Sequence, residues 1–132
     1  MADWTGCVMN PQAIASVFGN QPPALDGADI HSIVFDRDGP VISLNVTLRD
    51  YPENPPAKWV EQQANRAQIS LQLIDVQAVT LEGWGTENIC DLEIRRAGST
   101  LNIRTINSTL QMSIDTSFIR IAGLSAHRDE AR

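Results

Sequence analysis

Between residues 42 and 48, Ile42, Leu44, Val46 and Leu48 alternate with Ser43, Asn45 and Thr47. That two-residue period marks a strand with one buried face. A shorter apolar run, Ile30, Ile33, Val34 and Phe35, precedes it, and Asp36-Arg37-Asp38-Gly39-Pro40 lies between them. Gly39 tolerates a positive φ, and Pro40 can open a strand but cannot donate to a central ladder. Residues 30–48 therefore read as a β-hairpin.

Upstream, residues 10–19 carry the punctuation of a short helix. Asn10 suits the N-cap, Pro11 the first helical position and Gly19 the left-handed stop. Met9 and Ile14 fall at the two positions of a hydrophobic staple, and Ile14, Val17 and Phe18 share one face, which predicts that the helix lies against the sheet. Residues 20–28, with Pro22 and Pro23, form a linker.

After the hairpin, Pro52, Pro55 and Pro56 exclude a central strand over residues 50–56. Residues 57–66 fit about two turns of helix or the start of a strand, and helix is the expectation. Alternation returns at Ile69, Leu71 and Leu73, slips in phase near residues 74–76, and resumes at Val79 and Leu81. A bulge or a turn near Asp75 accounts for the slip. A glycine-rich loop with Trp84 follows. Three segments then alternate in turn: Cys90, Leu92 and Ile94; Leu101 and Ile103; Leu110, Met112 and Ile114. The short turns between them predict an antiparallel meander. A last strand over residues 118–122 leaves 125–132 as a frayed polar tail.

The expected fold is mainly β (α+β). An antiparallel sheet of seven to eight strands curls into a sandwich or partial barrel, with a short N-terminal helix on an open side. The chain has 132 residues, 42% hydrophobic and 20% charged, as expected of one globular domain. No apolar run approaches the ~20 residues of a membrane span, and the first residues lack the pattern of a secretory signal. A cytoplasmic location is expected. There Cys7 and Cys90 are two reduced thiols, although an even count also permits a disulfide. A net charge of −6 disfavours nucleic acid and anionic membranes and favours a basic partner.

Catalytic chemistry is sparse. His31 and His127 are the only histidines, no HxxxH or CxxC pair occurs, and Asp36 and Asp38 lack the further ligands of a calcium loop. Gly83-Trp84-Gly85 has neither the Lys-Ser/Thr of a P-loop nor the third glycine of a dinucleotide fingerprint. Neither a metal nor another cofactor is expected, nor an enzyme. What remains is surface recognition: Tyr51 and Trp84 stand in loops beside Glu53, Glu82 and Glu87, a grouping suited to anchoring a protein. Trp59 and Trp84 equally suit plugs at the open ends of the sheet.

The order of landmarks resembles the immunity protein 50 family. They run from Trp4 through Val17-Phe18-Gly19, Pro23, Leu25 and Phe35-Asp36-Arg37-Asp38-Gly39-Pro40 to Pro55, Lys58-Trp59, Ile69-Ser70-Leu71, Asp75-Val76 and Gly83-Trp84. The resemblance implies a bacterial antidote that binds a cognate polymorphic toxin and blocks it, with no reaction of its own. On that reading Tyr51, Glu53, Glu82, Trp84 and Glu87 face a basic toxin, and the protein is a monomer or weak homodimer. A small-ligand module is the alternative, and it requires a sizeable apolar pocket between sheet and helix.

Overall fold

A computed structural model describes residues 4–129. A 3-10 helix over Trp4–Cys7 and the helix α1, Gln12–Phe18, precede the strands β1, Ala28–Asp36, and β2, Val41–Thr47. The short helix α2, Ala57–Glu61, leads into β3, Arg66–Glu82, followed by β4, Ile89–Ala97, β5, Thr100–Ile106, and β6, Gln111–His127. Every pairing is antiparallel, and the six strands close in a ring in the order β1-β2-β3-β6-β5-β4. The closing junction is slight: Ala28 faces Cys90 and Asp29 faces Ile89. The ring is thus pinned at its last junction and is not a true barrel.

The β1–β2 hairpin forms where its alternation places it. Ile42, Leu44, Val46 and Leu48 are buried, and Gly39 takes φ 129° in the turn. His31 is the extra residue of a bulge, since Ile30 faces Val46 and Ser32 already faces Asn45. An exposed bulge residue needs no ligand to explain it.

Among the described residues six strands replace the expected seven to eight: β6 reads in the sequence as two strands, and of the bulge or turn expected near Asp75 in β3 the structure has the bulge. In β3, Asp75 takes φ 60°, and the register shifts between Val76, opposite Thr116, and Ala78, opposite Asp115. The Asp75 carboxylate braces this kink, accepting from the Ser117 hydroxyl at 2.6 Å and the Gln77 amide at 3.2 Å. Pairing with β2 stops opposite Ile74. The first half of β3 therefore continues the β1–β2 sheet, while its second half pairs with the part of β6 that carries β5. Inward side chains of both halves, among them Leu44, Ile69, Leu71, Ile103, Ile114 and Ile119, build one core. At about 25 cal/mol per Å² of apolar surface removed from water, such residues dominate the stability.

Two local expectations change. Asn10 does not cap α1, whose first turn has no side-chain cap bond; its carboxamide instead bonds the main chain of Ile121 on β6. The frayed tail expected over 125–132 is strand at its start, where Ser125 and Ala126 pair with Gln68 and Ala67, and His127 with Arg66. Residues 130–132 of that tail lie outside the described residues. The helix expected over 57–66 is α2, which ends at Glu61 and buries Trp59.

Candidate functional site

The chain leaves the hairpin through Leu48, whose N–H donates to the Ala67 carbonyl at 2.8 Å. The Asp50 carboxylate then accepts from the Ala24 N–H at 3.0 Å, tying this loop to the segment after α1. Tyr51 is half-buried, its ring centroid 6.0 Å from that of Trp59 at 42°. The Tyr51 hydroxyl is buried and has no hydrogen-bond partner among the described residues. Glu53 is exposed beyond it. An open cleft of about 790 Å³ runs between the end of α1 and this loop, lined by Phe18, Asn20, Arg49, Asp50, Tyr51 and Glu53 among others. These walls are mostly polar, unlike the apolar pocket a small-ligand module requires.

Glu82, Trp84 and Glu87 lie around the loop after β3. Glu82 faces Gln111 at the strand's end. Gly83 takes φ 86° and sits against the β5–β6 turn so closely that a side chain there would overlap the Thr109 carbonyl oxygen. At the other end Asn88 is buried. Its Oδ1 accepts from the Gly85 N–H and its Nδ2 donates to the Gly85 carbonyl, both at 2.9 Å, and Nδ2 also reaches the Ile30 carbonyl at 3.3 Å. The Asn88 N–H donates to Asp29 Oδ1 at 2.9 Å, and its carbonyl accepts from the Ile30 N–H. The loop is therefore clamped to the β5–β6 turn at its start and to β1 at its end. Between the clamps Trp84 is 47% exposed, so it is not a plug.

The clamp continues into an outward face that the alternation pattern hid. Ile89 is 46% and Ile106 38% exposed. Ile106 pairs with Asp91, and Ile89 lies two residues before Asp91, which puts the two isoleucines on the same outer face. Asp29, opposite Ile89, and Asp91 flank them. The Asn107 amide, and then the Gly27 N–H, each bonded to Asp91 at 2.9 Å, hold its carboxyl below the usual range. On β5 the Arg104 guanidinium is committed to Glu93 at 2.8 Å. Asp29 and Asp91 thus border these exposed apolar groups, with the Arg49 charge also acting on Asp91, and Glu82 and Glu87 precede them in the loop. Sequence reading did not single out Ile89 or Ile106, because it followed only the alternating positions of these strands. The available signal was phase: Ile89 is out of step with Cys90, Leu92 and Ile94.

The five residues marked by the sequence thus fall into two groups. Tyr51 and Glu53 lie by the start of β3, and Glu82, Trp84 and Glu87 lie around its end. Among the described residues, no group of three or more His, Cys, Asp or Glu side chains could hold a metal ion. No helix among them is long and apolar enough to cross a membrane. Cys7 and Cys90 are free thiols, and burial, with Asp91 and Asp29 nearby, pushes the Cys90 thiol up to about 11.

No match is found among curated proteins or among solved structures. The model of the immunity protein 50 family matches residues 10–127. The chain belongs to that family, and membership implies an immunity protein against a cognate polymorphic toxin.

Proposed function

We propose that the chain neutralises its cognate toxin by binding it directly in the cytoplasm, without a reaction of its own. Glu82, Trp84 and Glu87 form the principal contact, with Ile89 and Ile106 extending it. Tyr51 and Glu53 supply a second contact at the other end of β3. The observation that carries this reading is Trp84: a large aromatic held half-exposed by a clamped loop, so that little conformational entropy remains to be lost on binding. The surrounding carboxylates favour a basic toxin by accelerating encounter and suppressing wrong partners.

The test is titration with the toxin encoded beside this chain, at low and moderate salt. Replacing Trp84 by Ala together with Glu82 by Gln raises Kd by at least about thirtyfold, the size of one strong hot spot. Moderate salt weakens the complex of the unaltered chain. Unchanged affinity in a folded double variant removes this face from the proposal, and absence of any complex removes direct binding.

A further inference from the structure

A free sheet edge is a template for pairing with another chain, and folded proteins cover or charge such edges. Three of the unpaired margins here are treated in that way. On the second half of β6, the Met9 N–H donates to the Ile119 carbonyl at 2.8 Å, and the Asn10 carboxamide bonds both main-chain groups of Ile121. On β4, Leu92 donates to the Leu25 carbonyl and Asp91 accepts from Gly27, while Arg95 and Arg96 charge the far end. On β1, Asn88 bonds Ile30, the bulge at His31 breaks the ladder, and Asp36, Arg37 and Asp38 charge the tip.

The second half of β3 is treated differently. Beyond Val76, whose N–H donates to the Pro40 carbonyl at 3.0 Å, residues 77–82 pair with β6 on one side and with no described strand on the other. All six are exposed, and Glu82 is the one charged residue among them. Val79 and Leu81, opposite Ile114 and Met112, share the core-side face yet are 37% and 39% exposed.

This edge complements itself. We propose that residues 77–82 pair antiparallel with the same edge of a second copy of this chain, about a two-fold axis through Thr80. An axis perpendicular to the sheet keeps core-side residues on one face. Thr80 then opposes its twin, Val79 opposes Leu81 on both sides of the axis, and Glu82 opposes Ala78, so no carboxylate meets another. Centring the axis on Val79 instead sets Leu81 against Gln77 and leaves one apolar pair, Val79 with its twin, in place of two. The hairpin tip at Pro40 ends the slot, which limits pairing to these residues and makes the dimer a concentration-dependent one. Each copy carries a net charge of −6, so salt strengthens this dimer by screening repulsion. Salt weakens a complex with a basic toxin, and the proposal does not depend on that complex.

Sedimentation of the purified chain from micromolar to millimolar concentration tests it. The expected result is a mass rising from 14.5 kDa towards twice that value, sooner at moderate than at low salt. Val79→Lys lowers the association constant by at least about tenfold, since it sets a cation against an apolar partner on each side of the axis. In a Cys7→Ser chain, Thr80→Cys with oxidised glutathione yields a covalent dimer. A chain that stays monomeric at every concentration, with no covalent dimer from a folded Thr80→Cys variant, overturns the proposal. So does a dimer that Val79→Lys leaves intact, or an edge that accepts only a strand of another protein.

Discussion

The side chain of Asn10 holds both main-chain groups of Ile121, residues far apart in sequence. Asn10 Oδ1 accepts from the Ile121 N–H at 2.8 Å, and Nδ2 donates to the Ile121 carbonyl at 2.9 Å. One carboxamide thereby imitates a neighbouring strand on the margin of β6. Asn10→Ala leaves both groups without this partner and lowers stability by about 1–3 kcal/mol, read as a lower urea midpoint. A helix cap would give a loss of similar size. The separating observation is amide exchange at Ile121, which accelerates if Asn10 covers the strand and is unchanged if it only starts α1.

Gly83 is the second position at which one residue decides a connection. Its φ of 86° and its approach to Thr109 leave no room for a methyl group. Gly83→Ala must displace either the loop or the β5–β6 turn, at a cost of about 2–4 kcal/mol. Gly98, with φ 65° but nothing near its absent Cβ, gives the comparison. Gly98→Ala carries backbone strain without a clash and costs roughly 1–2 kcal/mol. Thermal unfolding of the two variants measures the difference, and equal losses would show that close approach to Thr109 does not matter.

The contrast between local pattern and long-range contact also explains what was legible in the chain. The β1–β2 hairpin was readable because its alternation, its turn and its buried face agree. The meander over β4, β5 and the first part of β6 was readable for the same reason. The continuity of β6 was hidden at Asp115-Thr116-Ser117, a polar run that resembles a turn. Thr116 is in fact fully buried, its hydroxyl donating to the Ile74 carbonyl at 2.7 Å, so the strand passes through. Ser125 and Ala126 likewise carry no apolar signal, yet their pairing with β3 uses the main chain, which sequence pattern does not report. At the candidate site the aromatic and acidic loop residues could be seen from composition. Their division between the two ends of β3 could not, because it follows from the unbroken length of that strand.

Cys90 ties the core to pH. Burial first, then Asp91 and Asp29, raise its thiol from 9.0 to about 11 in the folded chain. The unfolded chain therefore loses this proton at lower pH than the folded one. The corresponding stabilisation is complete below about pH 9 and is lost as pH rises towards 11. Cys90→Ala removes that alkaline dependence while leaving a small cavity cost at neutral pH. At neutral pH an alkylating reagent modifies half-exposed Cys7 readily and leaves Cys90 untouched until the protein unfolds. Equal labelling of both cysteines in the folded chain would contradict the buried position.

Tyr51 poses the sharpest choice between scaffold and site. Its hydroxyl is enclosed without a partner while its ring rests near Trp59. Removing an unsatisfied buried hydroxyl relieves a desolvation cost, so Tyr51→Phe keeps stability unchanged or raises it by up to about 1 kcal/mol. Tyr51→Ala removes the ring as well and lowers stability by about 2–4 kcal/mol, because the cleft wall beside Trp59 loses its filling. If toxin binding opens this loop and pairs the enclosed hydroxyl, Tyr51→Phe weakens the complex by about tenfold while the free protein is no less stable. If the ring serves the scaffold alone, Tyr51→Phe leaves affinity where it was. Unfolding and toxin titration of the same variant decide between the two, and a drop in the stability of Tyr51→Phe would show that the hydroxyl is bonded in solution after all.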